Sequence, residues 1–291
     1  MARFRAPVEY ARSQDSGGPL VSRYAGLPVG LQLLSDCQVY HNDFLRASDF
    51  DATNDWTVTE TGAAGTSALS ADTSPSALVL TCDALDNDSQ EAQLTAVAAG
   101  ETWLLTGDRP LYFETMIRLR DANNDRDTVE QVDWFVGLAI TDTTVIDGAT
   151  DFIGFVKQDG TATAIQFVSG DAGGAAGALV DQLVSPTGWT ALSTQAVAQA
   201  ANRADRLMGP NQWIKLAFLV EPTGNGANGN VYVWVNNEVT AASPINAAGF
   251  IPDTELCVTL CVQNGEAVAK IMDIGYVLVV QSLFDDAGAM V

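Results

Sequence analysis

The chain has few histidine and lysine residues and no long apolar stretch. Its 291 residues include a single histidine, His41, and three lysines. A Ser-His-Asp or Cys-His catalytic arrangement would have to use His41, and we expect no such role. No run of about 18 apolar residues is present, so no membrane-spanning helix is expected. The first residues also lack the apolar stretch of a secretory signal peptide, so export by that route is not expected.

Basic residues are scarce in general. Lysine and arginine together number 14 against 36 acidic residues, which gives a net charge of −22. A field of that sign repels nucleic acids and anionic membranes, so neither is predicted as a partner. The composition favours a highly soluble acidic surface, with a cation-binding surface as the alternative.

The four cysteines are Cys37, Cys82, Cys257 and Cys261. Cys257 and Cys261 lie in an alternating apolar segment, where a spacing of four residues on a strand separates them by about 13 Å. A disulfide needs a much shorter separation, and no neighbouring histidine completes a zinc site. We therefore expect four buried thiols that pack as small hydrophobic side chains.

From residue 38 onward, short segments of alternating apolar and polar residues are separated by turn clusters. The clearest is Leu111–Arg120, in which Phe113 and Ile117 share one face while Glu114 and Arg118 share the other. Only Thr194–Met208 reads as a helix. This pattern predicts an all-β antiparallel sandwich or jelly roll that occupies residues 37–291 as one domain.

Residues 1–36 are predicted to form an extended N-terminal arm, because proline and glycine interrupt every element there. Its arginines outnumber the acidic residues of the first 34 residues by four to two, a charge of +2 that leaves −24 for the remainder. The predicted attachment residues of the arm are Arg3, Arg5, Arg12, Arg23, Leu20, Val21, Leu27, Leu31 and Leu33. Such a segment gains stability by ordering against a partner, although it could instead be the first strand of the sandwich.

The strand order resembles that of concanavalin-like jelly rolls over residues 40–282. Asn42-Asp43-Phe44 followed by Trp56-Thr-Val-Thr is similar to their opening strands, and Met272-Asp-Ile-Gly-Tyr-Val is similar to their closing strand. Trp213-Ile-Lys-Leu, followed by Val231-Tyr-Val-Trp-Val-Asn, is similar to a pair of their back strands. The resemblance implies a concanavalin-like antiparallel β-sandwich.

Some glycosidases share this fold, so an enzymatic function needs a test. They place their carboxylates in an E-x-D-x-E pattern on one strand, where alternate residues share a face. The chain contains no such triplet, and Glu114, Glu130 and Asp133 fall on different segments. The sequence therefore predicts a protein that is not an enzyme.

One acidic segment could bind calcium. Asp121, Asn123, Asp125 and Asp127 supply alternating oxygen ligands of the kind that calcium requires. The EF-hand pattern fails, because Arg126 stands where glycine is needed and Val132 where the bidentate glutamate should be. A structural calcium ion in an irregular loop is one prediction, a solvated acidic turn is the other, and no further cofactor is expected.

An acidic sandwich with a short N-terminal arm also resembles tailed-phage virion structural proteins that decorate a capsid. The resemblance implies a non-enzymatic protein on the capsid surface of a virion, bound to a major capsid protein through its arm. Homo-oligomers are expected, with a trimer favoured. The alternative is a carbohydrate-binding, lectin-like module of a virion fibre or surface. Aromatic residues would then line its sugar site, although four of the six tryptophans fall in alternating strands, where core packing explains them.

Overall fold

A computed structural model describes residues 37–62, 64–70, 76–95, 101–125, 127–159, 165–171, 210–223, 228–239, 245–246 and 251–283. The predicted arm, residues 1–36, and the predicted helix, Thr194–Met208, lie outside the described residues. No helix among the described residues is long and apolar enough to cross a membrane.

Strands dominate the described part of the chain. They are β1 (Cys37–Asn42), β2 (Trp56–Glu60), β3 (Thr66–Leu69), β4 (Leu78–Thr81), β5 (Ser89–Leu94), β6 (Trp103–Leu104), β7 (Leu111–Arg120), β8 (Val132–Ala139), β9 (Phe152–Lys157), β10 (Gln166–Gly170), β11 (Trp213–Pro222), β12 (Gly229–Val235), β13 (Glu238–Val239), β14 (Ile245–Asn246), β15 (Glu255–Asn264) and β16 (Ile271–Ser282). The helical elements are a 3-10 turn at Ala47–Asp49 and two single turns of α-helix, α1 (Asp127–Glu130) and α2 (Val145–Gly148).

The strands form two antiparallel sheets, which confirms the predicted sandwich. Sheet A runs β13-β12-β11-β7-β16-β4-β3, with β1 paired to β16 and β14 paired to β12. Sheet B runs β10-β9-β8-β15-β5-β2, with β6 paired to β15. Some neighbours are consecutive strands, such as β8 and β9 or β11 and β12, but others, such as β7 and β16 or β8 and β15, come from distant parts of the sequence, as in a jelly roll.

The main core lies between the two sheets. On β7 the predicted alternation is confirmed, since Phe113 and Ile117 are fully buried and face inward. Phe113 stacks on Phe218 of β11 with ring centroids 5.0 Å apart, and Phe155 and Phe167 of sheet B pack against the same Phe218 ring. Each aromatic ring buried in this way contributes on the order of 2 kcal/mol of hydrophobic stabilisation.

A second apolar cluster lies on the outer face of sheet B. Residues 140–151, which we call the strap, cross this face and place Val145 and Ile146 against Phe135 and Phe152. Gln93 of β5 holds the strap, because its amide donates to the carbonyl of Ile140 (2.9 Å) and its oxygen accepts from the amide of residue 142 (3.0 Å). All eight residues of β8 are consequently buried, on both faces of the sheet.

The outer face of sheet A carries charge at one end. Asp273 is fully buried there and receives hydrogen bonds from Arg118 (2.7 Å) and Arg120 (2.6 and 2.7 Å). The Arg118 guanidinium also lies 4.7 Å from the centre of the Trp213 ring. Trp213 and Trp234 therefore do not belong to the core between the sheets, and core packing explains only the buried Trp56, Trp103 and Trp134 among the described tryptophans.

The prediction for the cysteines is confirmed: all four are buried and none forms a disulfide. Burial raises the pKa of Cys82 and of Cys257 to about 12. Their thiols donate to backbone carbonyls, Cys82 to Val262 and Cys257 to Ala139, each at 3.3 Å. They therefore remain protonated packing groups at neutral pH.

The close approach of β8 and β9 yields a first prediction. A Cβ atom added at Gly137 would lie 2.6 Å from the Cα of Gly154 and closer still to the carbonyl of Ile153, so rigid backbone would have to move. We expect Gly137→Ala to lower the free energy of unfolding by about 1–3 kcal/mol, measured by urea denaturation. Gly275→Ala is the matched control, because there the nearest atom is the flexible tip of Met116 at 3.0 Å. Equal losses for the two variants would contradict this account.

Candidate functional site

A cleft of about 460 Å³ opens beside strand β1, at the edge where the two sheets meet. One wall is the end of β1, with Tyr40 and His41, and the other is the segment from residue 43 to residue 55. Trp56 and Trp103, each 2% exposed, border its base. We call this the β1 cleft.

Asn42 fixes the shape of the β1 cleft. Its side-chain oxygen accepts from the amide of Phe44 (2.9 Å), and its side-chain amide donates to the carbonyl of Asp49 (2.5 Å) and to the hydroxyl oxygen of Tyr40 (3.1 Å). Phe44 has a φ of 52°, in the left-handed region, which costs an aromatic residue about 1–2 kcal/mol. Its buried ring packs against Trp56 with centroids 6.3 Å apart, which offsets that cost. The Asn-Asp-Phe sequence therefore encodes a rigid turn.

Tyr40 supplies a hydroxyl donor to the β1 cleft, and aspartate carboxylates supply several acceptors. Burial raises the pKa of Tyr40 to about 12, and the charges of Asp55 and Asp49 add to this effect while the Asn42 hydrogen bond opposes it. Tyr40 therefore keeps its proton at any physiological pH, and since its oxygen accepts from Asn42, that proton is left to be donated. The carboxylates of Asp43, Asp49 and Asp55 line the same cleft.

The carboxylates that were considered as catalytic candidates lie on different sheets, where each is bound by other groups of the protein. Glu114, on the outer face of sheet A, accepts from the Tyr112 hydroxyl (2.5 Å) and the Tyr276 hydroxyl (2.6 Å) and pairs with Lys215 (2.7 Å). Asp133, on β8, accepts from the amide of residue 159 (2.5 Å). The structure does not bring these groups together.

The predicted calcium loop contains a different cation. The ammonium group of Lys270 lies 2.9 Å from the Asp121 carboxylate and 3.2 Å from the carbonyl of Asp127, and it also pairs with Glu266 at 2.6 Å. The second Asp121 oxygen accepts from the amides of Asn123 (2.8 Å) and residue 124 (2.6 Å). Asp121 is thus paired with a lysine, and the calcium hypothesis stays a prediction.

The other loop positions serve local structure. Asn123 contributes its backbone amide to Asp121, and the Asp125 carboxylate accepts from the amide of Asp127 (3.0 Å). Burial would raise the pKa of Asp121, but the hydrogen bonds from Lys270 and the two amides outweigh it and lower the pKa below its ordinary value. Both oxygens of the best calcium ligand are therefore engaged by the protein itself.

Lys157, the second buried lysine, is held differently. Its ammonium donates three hydrogen bonds to backbone carbonyls, those of Glu130 (3.0 Å), Val132 (2.9 Å) and Gln158 (2.8 Å). Burial lowers its pKa to about 8, although nearby carboxylates such as Asp133 oppose this. The lysine ties the end of β9 to the loop after α1.

Three acidic residues that the sequence analysis did not predict to be neighbours lie close together in the structure. Carboxylate oxygens of Asp151, Asp171 and Asp253 lie within 4.8 Å of one another. Of the described His, Cys, Asp and Glu side chains, these form the one group with metal-ligand spacing. No local signal could have found them, because Asp151 and Asp171 lie just before β9 and just after β10, while Asp253 comes from the segment before β15.

Glu91 is a buried carboxyl under the strap. It is 1% exposed, and one of its oxygens accepts from the amide of Val145 (3.2 Å). Burial raises its pKa to about 7, and the charge of Asp142 adds to the rise. Cys261, opposite Glu91 on β15, is its other titratable neighbour.

The predicted attachment residues Arg3, Arg5, Arg12, Arg23, Leu20, Val21, Leu27, Leu31 and Leu33 all lie outside the described residues. The attachment hypothesis accordingly stays a prediction.

No protein-family model matches the chain, and no curated protein sequence matches it. Among solved structures, the chain is similar to the carbohydrate recognition domain of Emp46p in its metal-free form, with a TM-score of 0.49 and 13% identity over 82% of this chain and 93% of that chain. It is also similar to peanut lectin with a nine-residue peptide, with a TM-score of 0.48 and 10% identity over 84% and 97% of the two chains. For lectin II from Ulex europaeus the TM-score is 0.48 and the identity 9%, over 84% and 99%.

The Lys270 contacts yield a prediction on stability. Lys270→Met leaves Asp121 buried without its cation, which costs about 3–5 kcal/mol of unfolding free energy for a pair of this kind. Lys215→Met is the matched control, because Lys215 and Glu114 are 29% and 13% exposed, and we expect a loss of about 1 kcal/mol or less. Urea denaturation at pH 7 measures both. A Lys270→Met loss no larger than the control would refute a structural role for this ammonium group.

Glu91 yields a prediction on pH. Because its pKa is raised on folding, from 4.5 to about 7, the protein loses stability as the pH rises through this interval. Glu91→Gln removes that loss, so its stability relative to wild type should increase by about 3 kcal/mol between pH 4 and pH 8. The same measurement on Glu255→Gln, at an exposed position, gives the baseline for removal of one carboxylate. A flat difference curve for Glu91→Gln would show that this carboxyl ionises normally.

Proposed function

We propose that this protein is a non-enzymatic carbohydrate-binding module and that the β1 cleft is its sugar site. The observation that carries the proposal is the Asn42-fixed turn, which sets the Tyr40 hydroxyl and three aspartates around one cleft. A site fixed in this way before binding loses little conformational entropy when a ligand enters. Its volume of about 460 Å³ lies in the range of small-molecule sites.

The polar groups of the cleft complement sugar hydroxyls. A hydroxyl group is both a donor and an acceptor, so it can donate to the carboxylate of Asp43 or Asp55 and accept from the hydroxyl of Tyr40. Hydrogen bonds to a charged carboxylate are about twice as strong as those between neutral groups. The arrangement therefore suits a ligand that carries several adjacent hydroxyl groups.

The charge of the cleft favours neutral sugars. Asp43, Asp49 and Asp55 make it negative, and His41 is the single basic side chain along its lining. An acidic sugar would meet like charges in a protein whose net charge is already −22. We therefore expect neutral hexoses to bind and sialylated or uronic acid glycans to be rejected.

The setting in which such a module works remains a prediction from the sequence. A place on a virion fibre or capsid surface, attachment to a major capsid protein and assembly into a trimer all rest on resemblance and on residues 1–36. The β1 cleft, by contrast, is built entirely from described residues, so the carbohydrate hypothesis is the one that the geometry supports.

Glycan binding tests the proposal. We expect binding of at least one neutral glycan on an array, followed by calorimetry with that glycan. Tyr40→Phe removes one hydrogen bond worth about 1–1.5 kcal/mol, and Asp55→Asn replaces a charge-assisted hydrogen bond by a weaker neutral one, so each should weaken binding by about tenfold. Asp86→Asn, at an exposed position away from the cleft, is the charge-matched control and should bind as wild type does. Binding that is absent from the whole array, or that survives both cleft substitutions, would refute this site.

A further inference from the structure

An apolar patch lies on the outer face of sheet A, away from the core between the sheets. Its central side chains are Cys37, Tyr112, Ala217, Leu219, Leu278 and Val280, all between 0% and 6% exposed. Val39, Tyr232, Trp234 and Tyr276 pack against them. We call these ten residues the outer patch.

Because the side chains of the outer patch are buried, another segment must lie over this face of the sheet. Its ten residues all belong to strands β1, β7, β11, β12 and β16 of sheet A, and no described helix or loop contributes a side chain to it. On sheet B the strap supplies Val145 and Ile146 to the equivalent outer cluster. A sheet face with fully buried valine and leucine side chains is covered by something, since exposed apolar faces of this extent are rare in monomers.

One carboxylate lies within the outer patch: Glu114 on β7 is the cross-strand neighbour of Leu278 on β16 and of Ala217 on β11. Tyr112 and Tyr276 both donate to Glu114, which also pairs with Lys215. Burial raises the pKa of Tyr112, and the adjacent Glu114 charge raises it further, so the hydroxyl remains a donor. The sheet itself supplies these partners of Glu114, so the cover needs apolar side chains for the valine and leucine residues and no cation for this carboxylate.

The chain enters the sheet at this patch. Cys37, the first described residue, is itself part of the outer patch, and β1 then runs alongside β16 with Val39 opposite Val280. Residues 1–36 precede it and could extend for about 120 Å, while the five strands of the patch span only about 20 Å. The segment that arrives at Cys37 is thus both adjacent to the patch and long enough to cross it.

We propose that residues 1–36 pack across the outer patch of their own chain. Leu20, Val21, Leu27, Leu31 and Leu33 supply the apolar side chains that the patch needs. The first 34 residues carry +2 against −24 for the remainder, so their charge attracts them to the body of the protein. The proposal rests on the outer patch and does not require that the β1 cleft binds carbohydrate. Other candidate covers are residues 172–209 and a second copy of the chain.

Cys37 reports on the cover directly, and the other three cysteines serve as internal controls. We expect deletion of residues 1–34 to raise the alkylation rate of Cys37 by about tenfold or more, because an uncovered thiol reacts faster. Cys82, Cys257 and Cys261 face the core or the strap and should stay as slow as in the full chain. Peptide mass spectrometry after timed labelling of the native protein measures all four rates.

A second variant guards against misfolding of the truncated chain. If all four cysteines of the truncated protein react fast, the truncated protein has unfolded. The full-length triple variant with Leu27→Asp, Leu31→Asp and Leu33→Asp then tests whether the arm covers the patch. We expect Cys37 alone to become reactive in that variant, while the control Leu85→Asp, at a position 53% exposed, labels as wild type does.

Three outcomes would overturn the proposal. Cys37 that stays protected in a folded, truncated monomer would mean that another segment, such as residues 172–209, covers the patch. Protection of the full-length protein that fades on dilution would mean that a second copy supplies the cover. A triple leucine variant with an unchanged Cys37 rate would mean that these leucines do not touch the patch.

Discussion

The buried ammonium group of Lys270 fixes one end of the sandwich. It joins the turn before β16 to the loop after β7 through Asp121, the Asp127 carbonyl and Glu266. β16 is the strand on which β1, β4 and β7 all pair, so its start sets the register of much of sheet A. A buried charge tolerates little movement of its partners, because each lost contact leaves it without compensation. The end of the sheet is therefore held by electrostatics as much as by packing.

Buried charge is compensated at the Lys270 end of the sandwich and left largely uncompensated under the strap. At the Lys270 end every charge meets an opposite charge or a set of carbonyls, and the pKa of Asp121 falls. Under the strap, Glu91 has one backbone amide and no described cation beside it, and its pKa rises. The first arrangement stabilises the folded state at neutral pH, and the second weakens it there. The strap is thus the part of the sandwich whose attachment depends on proton concentration near pH 7.

Strands could be read from the sequence where alternation, a local property, is clear, as on β7, whereas β8 and β16 are buried at nearly every position and show little of it. Alternation does not say which face points inward, so it could not show that Trp213 and Trp234 lie outside the core between the sheets. It also gives no signal for β3, since Thr66–Leu69 has little apolar content. The acidic loop showed the right ligand atoms, but its cation comes from a lysine 149 residues away from Asp121. The Asn42-Asp43-Phe44 motif is visible in the sequence, but the hydrogen bonds from Asn42 to Asp49 and Tyr40 are visible only in the structure.

Strand β1 connects the two surfaces on which function is proposed. Because its side chains alternate, Tyr40 and Asn42 point towards the β1 cleft while Cys37 and Val39 belong to the outer patch. Among the described strands it pairs with β16 alone, so main-chain hydrogen bonds hold it along one edge. A strand held on one edge depends on side-chain packing for the rest of its position. Cover on the outer patch would press β1 onto β16 and so keep Tyr40 and Asn42 at the wall of the cleft. The geometry of the sugar site would then depend on contacts made on the opposite face of the same strand.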